Sequence, residues 1–235
     1  MLRFVVFAFS MLLIGAPASA QDVPARKEVN CESDGTTAEI RKRAEARCLA
    51  ELKDVASRSG PSLRFKLQNG KTKTLRNKSC ERDADTCTEY TLVGYHPAQR
   101  AFIVAQGFYE FYIFLLVDER TGDVTEIDGM PRFSPSGRWF VTADTKDGDG
   151  VLYVVAIWST AADKPKQEFR YSNEKESEEK YEYWKFLGWD GDSRIKLKVS
   201  VKDAVQHYAK KSADFETDAV LTEQGWKLNW PKAEQ

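Results

Sequence analysis

Cysteine and histidine are scarce in this 235-residue chain, and long hydrophobic runs are scarcer. A bilayer-spanning helix takes about 20 apolar residues, and no stretch beyond residue 20 qualifies, so no span is expected in the mature chain. The four cysteines at 31, 48, 80 and 87 lack the C-x2-C spacing of a structural zinc site. His96 and His207 are the two histidines, and neither stands beside a Ser or Cys nucleophile. No G-x-S-x-G elbow occurs. Neither sign of charge dominates: 35 Lys and Arg against 36 Asp and Glu leave a formal −1. That total gives no sign of the basic footprint of a nucleic-acid binder, so no nucleic-acid partner is expected. At 42% hydrophobic and 30% charged, the composition also excludes collagen-like and disordered chains. The length suits one domain of ordinary size, or one with a small appendage.

What is present begins with an address. Arg3 supplies a positive start, Phe4 to Ile14 is apolar except for Ser10, and Ala18-Ser19-Ala20 gives a small-x-small site. Residues 1–20 therefore read as a secretory signal peptide, cleaved before Gln21. Export to the periplasm or the extracellular space makes an even number of cysteines read as disulfides. Four cysteines allow three pairings. Cys31–Cys48 and Cys80–Cys87 are favoured because each closes a short loop.

Residues 21–61 read as a polar lead-in followed by one amphipathic helix. Thr36 and Glu39 are spaced for a capping box. Ile40, Ala44, Cys48, Leu52 and Val55 recur at helical spacing, with Arg41, Arg43, Glu45 and Lys53 on the opposite face. Ser59-Gly60-Pro61 is a strong stop.

From residue 62 to 235 the period changes from 3.6 to 2. Leu63, Phe65 and Leu67 alternate with Arg64 and Lys66, and Asn69-Gly70 signals a tight hairpin returning through Lys71 to Leu75. The rest repeats. Tyr95-HPAQRAFIV, Phe133-SPSGRWFVT and Trp189-DGDSRIKLK align over ten positions, with Arg100, Arg138 and Arg194 in one column. Each copy is about 40–55 residues and four short strands, the size of a propeller blade. Tyr112, Phe114 and Leu116 point one way and Phe111, Ile113 and Leu115 the other. A strand apolar on both faces must be covered on both, as a blade is by its neighbours. Fourteen strands are expected between residues 62 and 230.

Phe133-SPSGRWFVTADTKDGDGVLYVVAI resembles the WD40-like blade of TolB-type propellers, an aromatic followed by Ser-Pro-Asp-Gly-Lys, a strand, a polar turn and a second strand. Ser136 stands where that pattern has Asp, and Arg138 where it has Lys. The likeness is good for 133–157, weaker for 95–127 and poor for 183–230. It implies an all-β fold with one N-terminal helix and three to four antiparallel four-stranded sheets, a small or incomplete β-propeller. A scaffold of that kind implies no chemistry by itself.

Two loops carry candidate sites. Tyr109 and Phe111 lie in Gln106-Gly-Phe-Tyr-Glu-Phe-Tyr between two strands, where exposed aromatics would suit recognition of a protein or sugar and buried ones would cap the core. Asp144, Asp147 and Asp149 resemble a calcium loop, though a plain Asp/Gly hairpin tip has the same composition. No catalytic residue is assigned, and calcium is the one cofactor the loops suggest. The function expected is an exported, non-catalytic binding or scaffold module that contacts a protein or envelope component. An envelope-polymer hydrolase and a structural accessory protein of the cell envelope are the alternatives.

Overall fold

The computed structural model describes residues 26–33, 38–79, 87–109, 111–143, 154–162, 164–172, 180–203 and 213–230. The chain starts with a two-residue strand, β1 (Val29–Asn30), and the helix α1 (Ala38–Glu51). Four antiparallel sheets then follow in sequence order, none closed into a barrel. The first holds β2 (Ala56–Ser59), β3 (Ser62–Lys66) and β4 (Thr72–Arg76). The second holds β5 (Glu89–His96), β6 (Ala101–Gly107), β7 (Tyr112–Asp118) and β8 (Val124–Ile127), with β1 on the outer edge of β5. The third holds β9 (Arg132–Phe133), β10 (Trp139–Thr142), β11 (Val154–Ser159) and β12 (Lys166–Ser172). The fourth holds β13 (Lys180–Asp190), β14 (Arg194–Asp203), β15 (Ala213–Thr222) and β16 (Gly225–Asn229). The fourteen strands expected after residue 61 are β3 to β16.

The two-sided strands explain how the sheets stack. On β6, Phe102 and Val104 join a cluster with Leu63 and Phe65 of the first sheet, while Ala101 and Ile103 join one with Phe140 and Trp158 of the third. On β7, Leu115 and Val117 face the first sheet; Phe114 and Leu116 face the third. The third sheet divides the same way. Phe140, Val154 and Ala156 pack toward the second sheet, and Val141, Val155 and Ile157 toward Trp184, Ile195 and Leu197 of the fourth. Three apolar layers therefore join four sheets, each layer between neighbours in sequence.

Hairpin register shows what the aligned segments share. Tyr95 pairs with Phe102, and Phe133 with Phe140, so each opening aromatic sits across from a fully buried Phe seven residues on. In the third copy Trp189 pairs with Ile195, one residue sooner. The arginine column is not shared. Arg100 has φ +49° and donates to Gln68 in the first sheet's hairpin. Arg138 pairs with Asp192 of the fourth sheet, and Arg194 with Asp218 of its own sheet. The ungapped alignment thus corresponds in structure for the first two copies, and slips by one residue in the third.

Two expectations for the N-terminal region are corrected. The helix stops at Glu51, and Ala56–Ser59 is a strand paired with β3 across Gly60-Pro61. The helix-stop signal is a hairpin turn, with Gly60 at φ +55°, a conformation that suits glycine. Glu45 is buried rather than on a solvated face, and Ile40 is exposed. Arg58 explains the reversal. Its Nε and an Nη reach the two Glu45 carboxylate oxygens at 2.6 Å each, and Glu45 Oε1 also accepts the Leu92 N–H at 2.8 Å.

Cys31 and Cys48 form a disulfide with Cα atoms 5.7 Å apart, which ties β1 to α1. Cys87 is also disulfide-bonded; Cys80, assigned to it, lies outside the described residues. So do residues 1–20, Thr36 and His207.

Candidate functional site

Strand pairing between β6 and β7 runs to Gly107 and Tyr112. Phe108, Tyr109 and Phe111 beyond them stand on a hairpin tip at the end of the second sheet, of which Glu110 lies outside the described residues. Its neck is closed by the Phe108 N–H donating to the Phe111 carbonyl at 2.7 Å, and the Phe108 and Phe111 rings stack at 4.6 Å. Tyr109 is 69% exposed and Phe111 46%. Both sequence-nominated binding residues thus lie on one tip, outside the apolar layers. Ile113 and Tyr112, the next residues inward, already pack partly against those layers. Asp144, Asp147 and Asp149 lie outside the described residues, and among the described residues no group of three His, Cys, Asp or Glu could hold a metal ion.

At the other end of the second and third sheets, the turns at 97–100 and 119–123, with residues 160–162, 164 and 165, enclose a cavity of about 280 Å³. Its charged lining is Arg100, Asp118, Arg120, Asp123 and Lys164. Most of these charges are matched locally. Asp118 takes the Arg120 guanidinium at 2.5 Å and the backbone N–H groups of Arg120 and Thr121 at 2.7 and 3.0 Å. Burial pushes the Asp118 pKa up, but those hydrogen bonds outweigh it and hold the carboxyl below its ordinary value. Asp123 meets Lys164 at 3.1 Å. The pattern is that of carboxylates building turns.

His96 lies beside this cavity and stacks on Phe133, which lines it, at 3.8 Å. Burial lowers the imidazole pKa below 6.5, with Glu28 partly opposing. Folded His96 resists a proton that the unfolded chain accepts. Its contribution to stability is therefore full above about pH 6.5 and is lost as pH falls below that. The three carboxylates with resolved shifts, Asp118, Asp192 and Asp214, are all lowered from 3.8 and do not titrate in that window. The melting temperature is expected to fall between about pH 7.5 and 5.5, and less steeply in His96→Phe, which keeps the ring stack. Equal slopes in the two proteins would refute the assignment.

Sequence reasoning missed a buried network. Glu119 is 1% exposed. It pairs with Arg26, accepts the Tyr95 hydroxyl at 2.7 Å and Gln68 Nε2 at 3.3 Å, and so joins the lead-in to the first two sheets. Burial, then the hydrogen bond to Glu119, raises the Tyr95 phenol well above its ordinary value. Glu119 stands in the charged turn Asp118-Glu-Arg-Thr-Gly-Asp, where nothing in the local pattern separates it from its solvated neighbours.

Fold and geometry define the class of this molecule: an all-β protein of four stacked antiparallel sheets, with an aromatic tip at one end and a polar cavity at the other. Comparison with protein-family models, curated proteins and solved structures finds no match.

Proposed function

We propose that this protein is an exported, non-catalytic binding module built of propeller-like blades, which contacts a protein of the cell envelope through the tip that carries Phe108, Tyr109 and Phe111. The observation that carries this is the pair of exposed rings, Tyr109 and Phe111, held on a closed hairpin neck. Leaving two large rings in water forgoes burial that would stabilise the fold, whereas aromatic anchors of this kind supply much of the energy at protein interfaces. The stacked Phe108 presents them preorganised, which lowers the ordering cost of binding. An envelope-polymer hydrolase is less well supported, since Asp118 in the cavity is fixed by Arg120 and held in its charged form.

The test places a photo-crosslinking residue at Tyr109 in the intact chain and irradiates it in envelope preparations. One discrete crosslinked protein is expected, together with a loss of its capture of at least tenfold in Tyr109→Ser/Phe111→Ser at unchanged melting temperature. Unaltered capture by the double variant would discard the proposal.

A further inference from the structure

The near-zero net charge conceals a segregation. Residues 38–79 carry twelve Lys and Arg against four Asp and Glu, while the remainder carries twenty-three against thirty-two. The basic segment is α1 and the first sheet. That sheet is terminal in the stack: Leu63 and Phe65 face inward into its one apolar layer, and the alternate positions face out. Every outward position holds Ser, Thr, Arg or Lys. Register puts a hydroxyl opposite each cation, with Arg64 across from Thr74, Lys66 from Thr72 and Arg76 from Ser62. All three cations are exposed, and none has an ion-pair partner among the described residues.

The fourth sheet, at the other end of the stack, shows how a terminal face is otherwise built. There Lys196 lies across from Asp218 and Lys198 from Glu216, and Lys198 meets Asp214 at 2.5 Å. Like charges left uncompensated on adjacent strands repel, yet the first sheet keeps three together and sets only neutral hydroxyls opposite them.

We propose that the outward face of the first sheet docks on the anionic headgroup plane of a phospholipid bilayer. The face is a flat ladder rather than a groove, so it presents its cations together to a plane. Arg64 and Lys66, two residues apart on one strand, are spaced about 7 Å, and Ser and Thr hydroxyls between the cations donate to phosphate oxygens. No aromatic side chain stands on this face to stack on a base, as single-stranded nucleic acid binding would use. No apolar side chain stands there to insert either, so the association is superficial and electrostatic. The acidic remainder of the molecule orients the basic end toward a negative plane. This surface is separate from the tip that carries Phe108, Tyr109 and Phe111, and its test does not depend on that assignment.

The intact mature chain is sedimented with vesicles of phosphatidylcholine alone or containing about one third phosphatidylglycerol, near 50 and 300 mM salt. Binding only to the anionic vesicles, lost at the higher salt, is expected. Arg64→Gln/Lys66→Gln/Arg76→Gln is expected to weaken it about fivefold per charge, on the order of a hundredfold together. The matched variant Lys185→Gln/Lys196→Gln/Lys198→Gln on the fourth sheet is expected to change it only a few-fold. Equal losses in the two triple variants, no preference for anionic vesicles, or tighter binding to single-stranded nucleic acid or an acidic polysaccharide would each overturn the proposal. Circular dichroism of both variants reports whether the fold is kept.

Discussion

Arg58→Ala is expected to destabilise the fold by about 3–5 kcal/mol, the loss typical of a buried ion pair deprived of one partner. The geometry argues for the upper part of that range. Both guanidinium contacts to Glu45 are 2.6 Å, and the second nitrogen also donates to the Tyr90 carbonyl at 2.5 Å. Glu45 in turn accepts the Leu92 N–H, so one carboxylate joins α1, β2 and β5. Removing the cation leaves that carboxylate in a nearly dry site beside Cys48, with an orphaned carbonyl on β5. Glu45→Gln is expected to cost less, since an amide oxygen still serves Leu92. Urea unfolding of both single variants and the double variant gives the coupling between the two residues. A coupling below about 1 kcal/mol, typical of exposed pairs, would show that the pair contributes as a surface salt bridge does.

Phe140→Ala is expected to cost a similar amount, about 3–5 kcal/mol, for a different reason. Phe140 has no exposed surface. It stacks nearly parallel to Trp158 at 5.7 Å and lies 5.2 Å from Phe133, so its loss opens a void in the layer between the second and third sheets. That layer is walled by paired β-strands, which cannot collapse inward without breaking ladders. Phe140→Leu fills much of the void and should cost markedly less. Unfolding midpoints that barely separate the Ala and Leu variants would mean that the layer relaxes freely. An unchanged denaturant slope is expected in both, since the surface exposed on unfolding stays nearly the same.

The sequence made the sheets legible wherever local rules decide. Asn69-Gly70 marked the hairpin between β3 and β4, with Gly70 at φ +79°. Phe114, Leu115 and Leu116 in a row called for cover on both faces, and the neighbouring sheets supply it. The end of the helix was misread because Leu52 and Val55 continue its spacing and are buried, but in the turn that leads into β2. Glu45 was assigned to the exposed helix face and Glu119 was not singled out, because a carboxylate's burial is set by partners far along the chain. Arg58 and Arg26 lie 13 and 93 residues away from them. The basic face of the first sheet was hidden by averaging. The charges were all in view, but a total over the chain cancels what a tally over residues 38–79 reveals. Tyr109 and Phe111 were legible as a loop pair, whereas their exposure depended on where β6 and β7 stop pairing.

One strand pairing stands apart from the rest. Every other ladder in the four sheets links neighbours in the chain, whereas Val29 meets Tyr95 and Arg26 meets Glu119. As the polypeptide is synthesised, its lead-in is made early and seated late. The carboxylate that receives Arg26 does not exist until ninety-three further residues have been added. Until β5 has been made, β1 has no partner strand. The first strand of the chain is therefore placed only after the whole first sheet has been made.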